Sequence, residues 1–359
     1  MKKVVHIVES FGGGVFTILV DLINSSSMKF ETVVLYGKRK ETPENFKEYF
    51  SENVKFIEVK NFTRSINIKK DIKSVNEIKK IIKELKPNVV HLHSSKAGII
   101  GRIAISSKNI KLLYTPHGFS FLKKDDSKIK RKVYWFIEKI FTFRKCKIVG
   151  CSVGEYEEAM KLSKNSICIS NGINLDKIQN ETEIFIHKEL NLEKLKICTS
   201  GRIGYQKNPK LFNEIAKAFP NIEFSWIGDG DLIEELTSKN ITITGWKSRQ
   251  EVLEILNKND IFILPSLWEG LPISLLEAMY MKKICIVSNV IGNKDVIDNT
   301  KNGFICEEID DYIKLINDVL CNKFNIYDLT NNAHKDIIEI YNTHNMSGKY
   351  MELYSQNRV

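Results

Sequence analysis

Short apolar runs recur from one end of the chain to the other, each followed by turn residues and then by a stretch of helical spacing. They include Val4–Val8, Val33–Tyr36, Val54–Val59, Val89–His93, Lys111–Thr115, Ile148–Cys151, Leu195–Thr199, Phe224–Ile227, Ile241–Thr244, Asp260–Leu264 and Ile284–Val287. Strands that alternate with helices in this way predict an α/β fold of doubly wound sheets. A chain of 359 residues is too long for one ordinary core and fits two domains. The turn Asn171-Gly172-Ile173-Asn174, followed by the polar segment Asp176–Glu193 without a clear period, marks the break. The expected domains are 1–170 and 171–339, with 340–359 as a C-terminal helix and further helices from about Ile309 and Asp336.

No apolar run approaches bilayer length, and the N-terminal stretch MKKVVHIVESFGGG carries Glu9 where a signal peptide needs apolar residues, so a cytoplasmic protein is expected. Seven scattered cysteines without a C-x-x-C pair read as reduced packing residues and not as a disulfide frame or zinc site. Net charge is +10, unevenly spread: 33 basic against 17 acidic residues over 1–170, and 21 against 27 over 171–359. The basic half would be drawn to something anionic, a membrane leaflet or a lipid diphosphate. No nucleic-acid-binding module is recognisable, and no nucleic-acid partner is expected.

Pro265–Met279, PSLWEGLPISLLEAM, follows the strand Asp260–Leu264 and opens a helix at Pro272, where a proline loses no needed amide bond. The N–H groups of about Leu271–Leu275 would then point out of the helix start and suit a phosphate or sugar hydroxyls. Glu269 and Glu277 place two hydroxyl acceptors on the same corner. Arginine is scarce, eight among 54 basic residues, so Arg202 in the strand-end loop Ser200–Lys207 stands out. Its planar fork suits two phosphate oxygens, and Lys207 adds a point charge. Asn208 and Pro209 then open a helix.

In the first half, Gly12, Gly13 and Gly14 form a strand-to-helix turn without G-x-G-x-x-G spacing, open to a phosphate-binding or a purely structural reading. His91 and His93 share one strand face, with no third metal ligand visible, and read as core or strand-end histidines. Lys96 lies in the strand-end loop Ser94–Gly98, and His117 with Phe119 follows the strand Lys111–Thr115. The basic, aromatic segment Lys128–Lys147 is read as a packed helix with Ile129, Val133, Phe136, Ile137 and Ile140 as its core stripe. Trp135, Phe141 and the lysines fall partly off that stripe, where a membrane surface would meet them.

The string E-G-L-P-x-S-x-L-E-A-M from Glu269 to Met279 resembles the signature of the retaining glycosyltransferase family 4. G-R-x-x-x-x-K from Gly201 to Lys207 resembles the same family's diphosphate-binding pair, and T-P-H-G-F-S-F from Thr115 resembles, more loosely, its acceptor-domain loop. The resemblance implies GT-B architecture: two Rossmann-like domains facing across a cleft, the first for the acceptor and the second for a nucleotide sugar, with the last helix crossing back to the first. It implies that Arg202, Lys207 and the amides of Gly270, Leu271, Pro272, Ile273, Ser274 and Leu275, proline apart, surround the donor. Glu277 would hold the ribose, Glu269 and His117 the transferred sugar, Gly13 and Gly14 a donor-phosphate loop, and Trp246 the nucleobase region. Lys96 and Phe119 would face the acceptor. The implied partners are a donor, UDP-linked, a lipid-diphosphate-linked saccharide in capsule or O-antigen assembly and the anionic inner face of the cytoplasmic membrane. No cofactor and no metal are expected, and transfer would retain anomeric configuration. A UDP-sugar 2-epimerase of similar architecture and a non-catalytic sugar-nucleotide binder are the alternatives.

Overall fold

The computed structural model describes residues 1–9, 11–39, 42–63, 66–181 and 194–356. The chain forms two compact units: Met1–Asn171 together with Thr343–Val359, and Gly172–Asn342. Of the patternless segment Asp176–Glu193, the part after Glu181 lies outside the described residues.

The first unit runs β1 (Lys2–Val8), α1 (Gly13–Ser26), β2 (Phe30–Tyr36), β3 (Lys55–Glu58), α2 (Ile68–Leu85), β4 (Val89–His93), α3 (Ser95–Ala104), β5 (Lys111–Thr115), α4 (Lys128–Ile140), β6 (Cys146–Gly150), α5 (Val153–Leu162) and β7 (Ser166–Cys168). Its strands are all parallel, in the order β3-β2-β1-β4-β5-β6-β7. Val5, Ile7, Val90, Leu92 and Leu112 are buried at its centre, as continuous apolar strands covered by helices must be.

The second unit runs α6 (Leu175–Glu181), β8 (Lys196–Ser200), α7 (Pro209–Ala218), β9 (Glu223–Ile227), β10 (Ile241–Ile243), α8 (Arg249–Asn257), β11 (Ile261–Leu264), α9 (Ile273–Tyr280), β12 (Ile284–Ser288), β13 (Phe304–Cys306), α10 (Ile309–Leu320) and α11 (Ile326–Glu339). Its parallel sheet has the order β10-β9-β8-β11-β12-β13. The helix expected from about Asp336 begins ten residues earlier, as α11 at Ile326, and ends at Glu339; the C-terminal helix expected over 340–359 is α12 (Thr343–Ser355), which joins the first unit, packing on α1. Met346, Tyr350, Leu353 and Tyr354 of α12 are buried there.

Each order reverses direction once, between β1 and β4 in the first sheet and between β8 and β11 in the second. Loops at the carboxyl ends of strands beside such a reversal splay apart and leave a crevice, which is where open α/β sheets take ligands.

α4 presents the opposite face from the one the sequence suggests. Ile129, Val133, Phe136 and Ile140, expected in the core, are 77%, 48%, 59% and 60% exposed, while Trp135 packs on the core beside Tyr134. The cause is Glu138, buried among them. Its carboxylate accepts from Arg102 Nη2 at 2.5 Å and from the Tyr114 hydroxyl at 2.8 Å, and Arg102 also donates to the Gly98 carbonyl. A buried ion pair fixes helix rotation more strongly than a few aliphatic side chains do, because an unpaired buried charge is costly. Lys128, Lys130, Lys132 and Lys139 accompany the exposed aliphatic stripe, and Phe143 in the following turn is exposed too. No helix among the described residues is long and apolar enough to cross a membrane.

Candidate active site

In the second unit, the loops after β8 and β11 flank the direction reversal and are joined by side chains. Lys207 Nζ lies 2.7 Å from Glu269 Oε1, both largely buried. Gln206 donates from Nε2 to the Trp268 carbonyl at 2.9 Å, and its own carbonyl accepts the Leu267 N–H at 2.8 Å. Arg202, on the same loop as Lys207, is bonded to the exposed Asp231. Close backbone approach holds the corner together. Gly292 at φ 86° sits against the Gly270 carbonyl, and an added Cβ would meet that oxygen at 2.4 Å; Gly228 at φ 144° meets the Gly201 carbonyl in the same way at 2.2 Å.

α9 starts one residue later than expected. Pro272 is its N-cap, at φ −76° and ψ 123°, and its carbonyl already accepts from the Leu275 and Leu276 amides. The N–H groups at the helix start are therefore those of Ile273 and Ser274, preceded by the buried Gly270 and Leu271. Glu277, one turn further on, is buried and lies 3.0 Å from Arg249, the first residue of α8. Nothing in the sequence points to Arg249: it stands 28 positions before Glu277, and no local spacing links them. Trp246 is 57% exposed after β10, beside Gly245 at φ 71°.

In the first unit, α1 begins at Gly13, so Gly13 and Gly14 lie within the first turn; Gly13 takes φ 55° with open space where a Cβ would be. His117, at the tip of β5, also adopts a left-handed backbone, φ 51°. Its loop is anchored by Glu155, whose buried carboxylate accepts the Gly118 N–H at 2.6 Å and the Cys151 N–H at 2.8 Å. Phe119, expected to face an acceptor, is wholly buried and stacks on Phe121 with ring centres 4.7 Å apart. Lys96 is paired with Asp71 at 2.8 Å and donates to the Thr63 carbonyl, so its charge is neutralised locally.

His91 and His93 do share one strand face, and a third histidine, not visible from local spacing, joins them: His6, register partner of His91 on β1. Ligand nitrogens of all three lie within 4.8 Å of one another. His6 Nδ1 is 3.0 Å from His93 Nε2, and His93 Nδ1 is 3.1 Å from His117 Nε2. Burial holds all these rings neutral: His6 is pushed down to about 3 and His117 to about 4, with His91 and His93 well below the usual histidine range.

Residues 12–177 match the family described as Glycosyltransferase Family 4, and residues 180–337 match Glycosyl transferases group 1. The chain is 32% identical over 340 residues to UDP-Gal:alpha-D-GlcNAc-diphosphoundecaprenol alpha-1,3-galactosyltransferase of Escherichia coli, covering 86% of this chain and 85% of that protein. It is 28% identical to the capsular polysaccharide biosynthesis glycosyltransferase CapM of Staphylococcus aureus, over 81% and 80% of the two chains. Sucrose-phosphate synthase from Thermosynechococcus elongatus shares the fold, with a TM-score of 0.80 over 98% of each chain at 14% identity. Two doubly wound parallel sheets of GT-B type, family matches along both units and a relative similar over most of its length lead to one conclusion: the chain is a glycosyltransferase and belongs to family 4, the glycosyl transferases group 1.

Proposed function

We propose that this enzyme moves a hexose or N-acetylhexosamine from a UDP-linked donor to a lipid-diphosphate-linked saccharide in surface-polysaccharide assembly, with retention of anomeric configuration and without a metal ion. The observation that carries the donor half is the joined pair of loops at the β8/β11 reversal, with Arg202, Lys207 and the α9 start on one corner. Charge that grows on a leaving diphosphate is stabilised by preorganised cations and N–H dipoles. Arg202 and Lys207 supply the cations, and Ile273 and Ser274 the dipoles. Glu269 accepts from the sugar hydroxyls, Glu277 from the ribose, and His117 serves the transferred sugar. Attack comes from the side the phosphate leaves, the phosphate oxygen taking the acceptor's proton.

The acceptor half rests on the relative's named substrate, a diphosphoundecaprenol saccharide. Peripheral attachment at the inner face of the cytoplasmic membrane is supported by α4, whose aliphatic stripe and lysines face outward in a chain segment of net +16. Anionic lipid attracts such a surface by roughly 1 kcal/mol per nearby basic residue.

The test is turnover of UDP-, GDP- and ADP-sugars with lipid-linked and free saccharides, with EDTA, product anomers being read by NMR. Liposome sedimentation runs alongside. UDP-sugar turnover that needs the lipid diphosphate, survives EDTA and gives the donor's own anomer is expected. Salt-sensitive binding to anionic vesicles should weaken in Phe136→Ser without a fall in melting temperature. Full turnover on a free sugar, an inverted product or equal binding to neutral vesicles would overturn the corresponding part.

The two glutamates are assigned to opposite ends of the donor. Glu277→Gln is expected to weaken UDP binding by about 10–100-fold, the weight of one charge-assisted hydrogen bond. Glu269→Gln should spare UDP affinity and lower turnover of the sugar donor. Calorimetric titration with UDP checks this, and an equal loss in both variants would end the division of roles.

A further inference from the structure

We infer that His6, His93 and His117 form one tautomer-coupled relay, in which His6 and His93 are positioning residues that fix the ring proton of His117 on Nδ1. The relay stands on the geometry of the three rings; its bearing on catalysis rests on the role proposed for His117.

The parity of the contacts carries the argument. His6 meets His93 through Nδ1 to Nε2, and His93 meets His117 through Nδ1 to Nε2, at 3.0 and 3.1 Å. A neutral imidazole has one N–H and one lone pair. If His6 donates from Nδ1, His93 must accept at Nε2 and carry its proton on Nδ1, and His117 must accept at Nε2 and carry its own on Nδ1. The reverse register puts the proton on Nε2 of all three. Any mixed arrangement sets two lone pairs or two N–H groups against each other inside the unit. Burial keeps the three rings uncharged, so no extra proton relaxes the rule.

The ends choose between the registers. His6 Nε2 and His117 Nδ1 are both buried without a hydrogen-bond partner. His6 is fully buried on β1, packed against His93 and the edge of Tyr354. An orphaned N–H there is worse than an orphaned lone pair, since buried donors without acceptors are the rarer defect. Each register leaves one bare lone pair and one unpartnered N–H, at opposite ends; the Nδ1–H register puts the lone pair on the fully buried His6 and the N–H on His117, the less buried residue, at the strand tip. A ligand oxygen that reached this nitrogen would meet an N–H donor and not a base.

His91 stays outside the relay, because Tyr354 Oη and Thr115 Oγ1 occupy its two nitrogens at 2.8 Å each. A metal ion at His6, His91 and His93 would have to break one of those two bonds of His91 and one of the two bonds of His93, to His6 or to His117.

The experiment is long-range ¹⁵N–¹H spectroscopy of the full chain labelled at histidine, where protonated and bare ring nitrogens have widely separated shifts. Nδ1–H at His6, His93 and His117 together is expected, and any other pattern, including Nε2–H at all three, overturns the proposal. His6→Asn puts an amide donor at the Nδ1 position and should preserve the pattern at His93 and His117. His6→Leu removes the donor and should give averaged tautomer shifts at both; an unchanged His117 in that variant also overturns the relay. Wild type and His6→Asn decide the matter if His6→Leu does not fold. Stoichiometric Zn²⁺ binding that shifts the three rings would assign a metal centre in place of the relay. The spectra need no sugar donor, so their outcome is separate from that of the turnover assays.

Discussion

Arg202→Ala is expected to lower kcat/KM for the sugar donor while the melting temperature holds, whereas Lys207→Ala should lose turnover and stability together. The difference follows from the partners. Arg202 is bonded to Asp231 on an exposed loop, and such surface pairs contribute only about 0–1 kcal/mol. Its charge is available for phosphate at little structural expense, and losing it should lower kcat/KM by about 10–100-fold, from roughly 1.5–3 kcal/mol of charge-assisted bonding. Lys207 has the same duty but also compensates Glu269, which is only 6% exposed. Removing one member of a buried pair strands the other, at up to about 3–5 kcal/mol. The sequence alone treats the two cations as equivalent charges aimed at phosphate; the 2.7 Å pair makes them unequal. The double variant Lys207→Ala with Glu269→Gln should recover melting temperature and not turnover. Normal turnover in Arg202→Ala, or an unshifted melting temperature in Lys207→Ala, would dismantle this assignment.

Glu138→Ala should be among the most destabilising single changes in the first unit. It leaves the Arg102 guanidinium, wholly buried and 4.6 Å above the Tyr114 ring, without its counter-ion, and removes the acceptor of the Tyr114 hydroxyl. A loss of about 3–5 kcal/mol is expected for a stranded buried charge. Replacing both partners by leucine should be far milder, because the desolvation of the ions disappears with them. Urea unfolding of the two variants checks the contrast. A small effect of Glu138→Ala would mean that α4 is not held in rotation by this pair, and the outward face assigned to Ile129, Val133, Phe136 and Ile140 would lose its explanation.

The parts of the candidate site that share one short stretch are legible in the sequence as one corner, whatever their roles. Glu269, Glu277 and the helix start lie within the apolar pattern of one strand-loop-helix corner, and Gly201, Arg202 and Lys207 share one loop. What escaped was everything supplied from a distance. Arg249 meets Glu277 from the start of another helix, Glu155 anchors the His117 loop from α5, and His6 reaches His93 only because β1 and β4 are neighbours in the sheet. Strand order is a tertiary fact that spacing cannot encode. α4 failed for a different reason: both of its faces are rich in large apolar residues, and the choice between them is made by one carboxylate whose partner lies 36 positions earlier. Position in a loop makes Lys96 and Phe119 candidates but does not tell that one is already neutralised and the other turned into the core.

The return of α12 to the first unit has a consequence for how the protein is made. Tyr354 reaches His91 Nδ1 at 2.8 Å, and Tyr350 reaches Thr115 at 3.2 Å, so the last helix completes a core laid down by the first half of the message. On the ribosome, Met1–Asn171 must wait through translation of all of Gly172–Asn342, roughly 10–30 s at ~5–20 residues per second. Throughout that interval the surface that receives Met346, Tyr350, Leu353 and Tyr354, His91 and Thr115 included, stands uncovered. The second unit, encoded without interruption, is free to close first. Nascent chains stalled just short of Thr343 should therefore present a protease-resistant second unit joined to a first unit that still binds holdase chaperones.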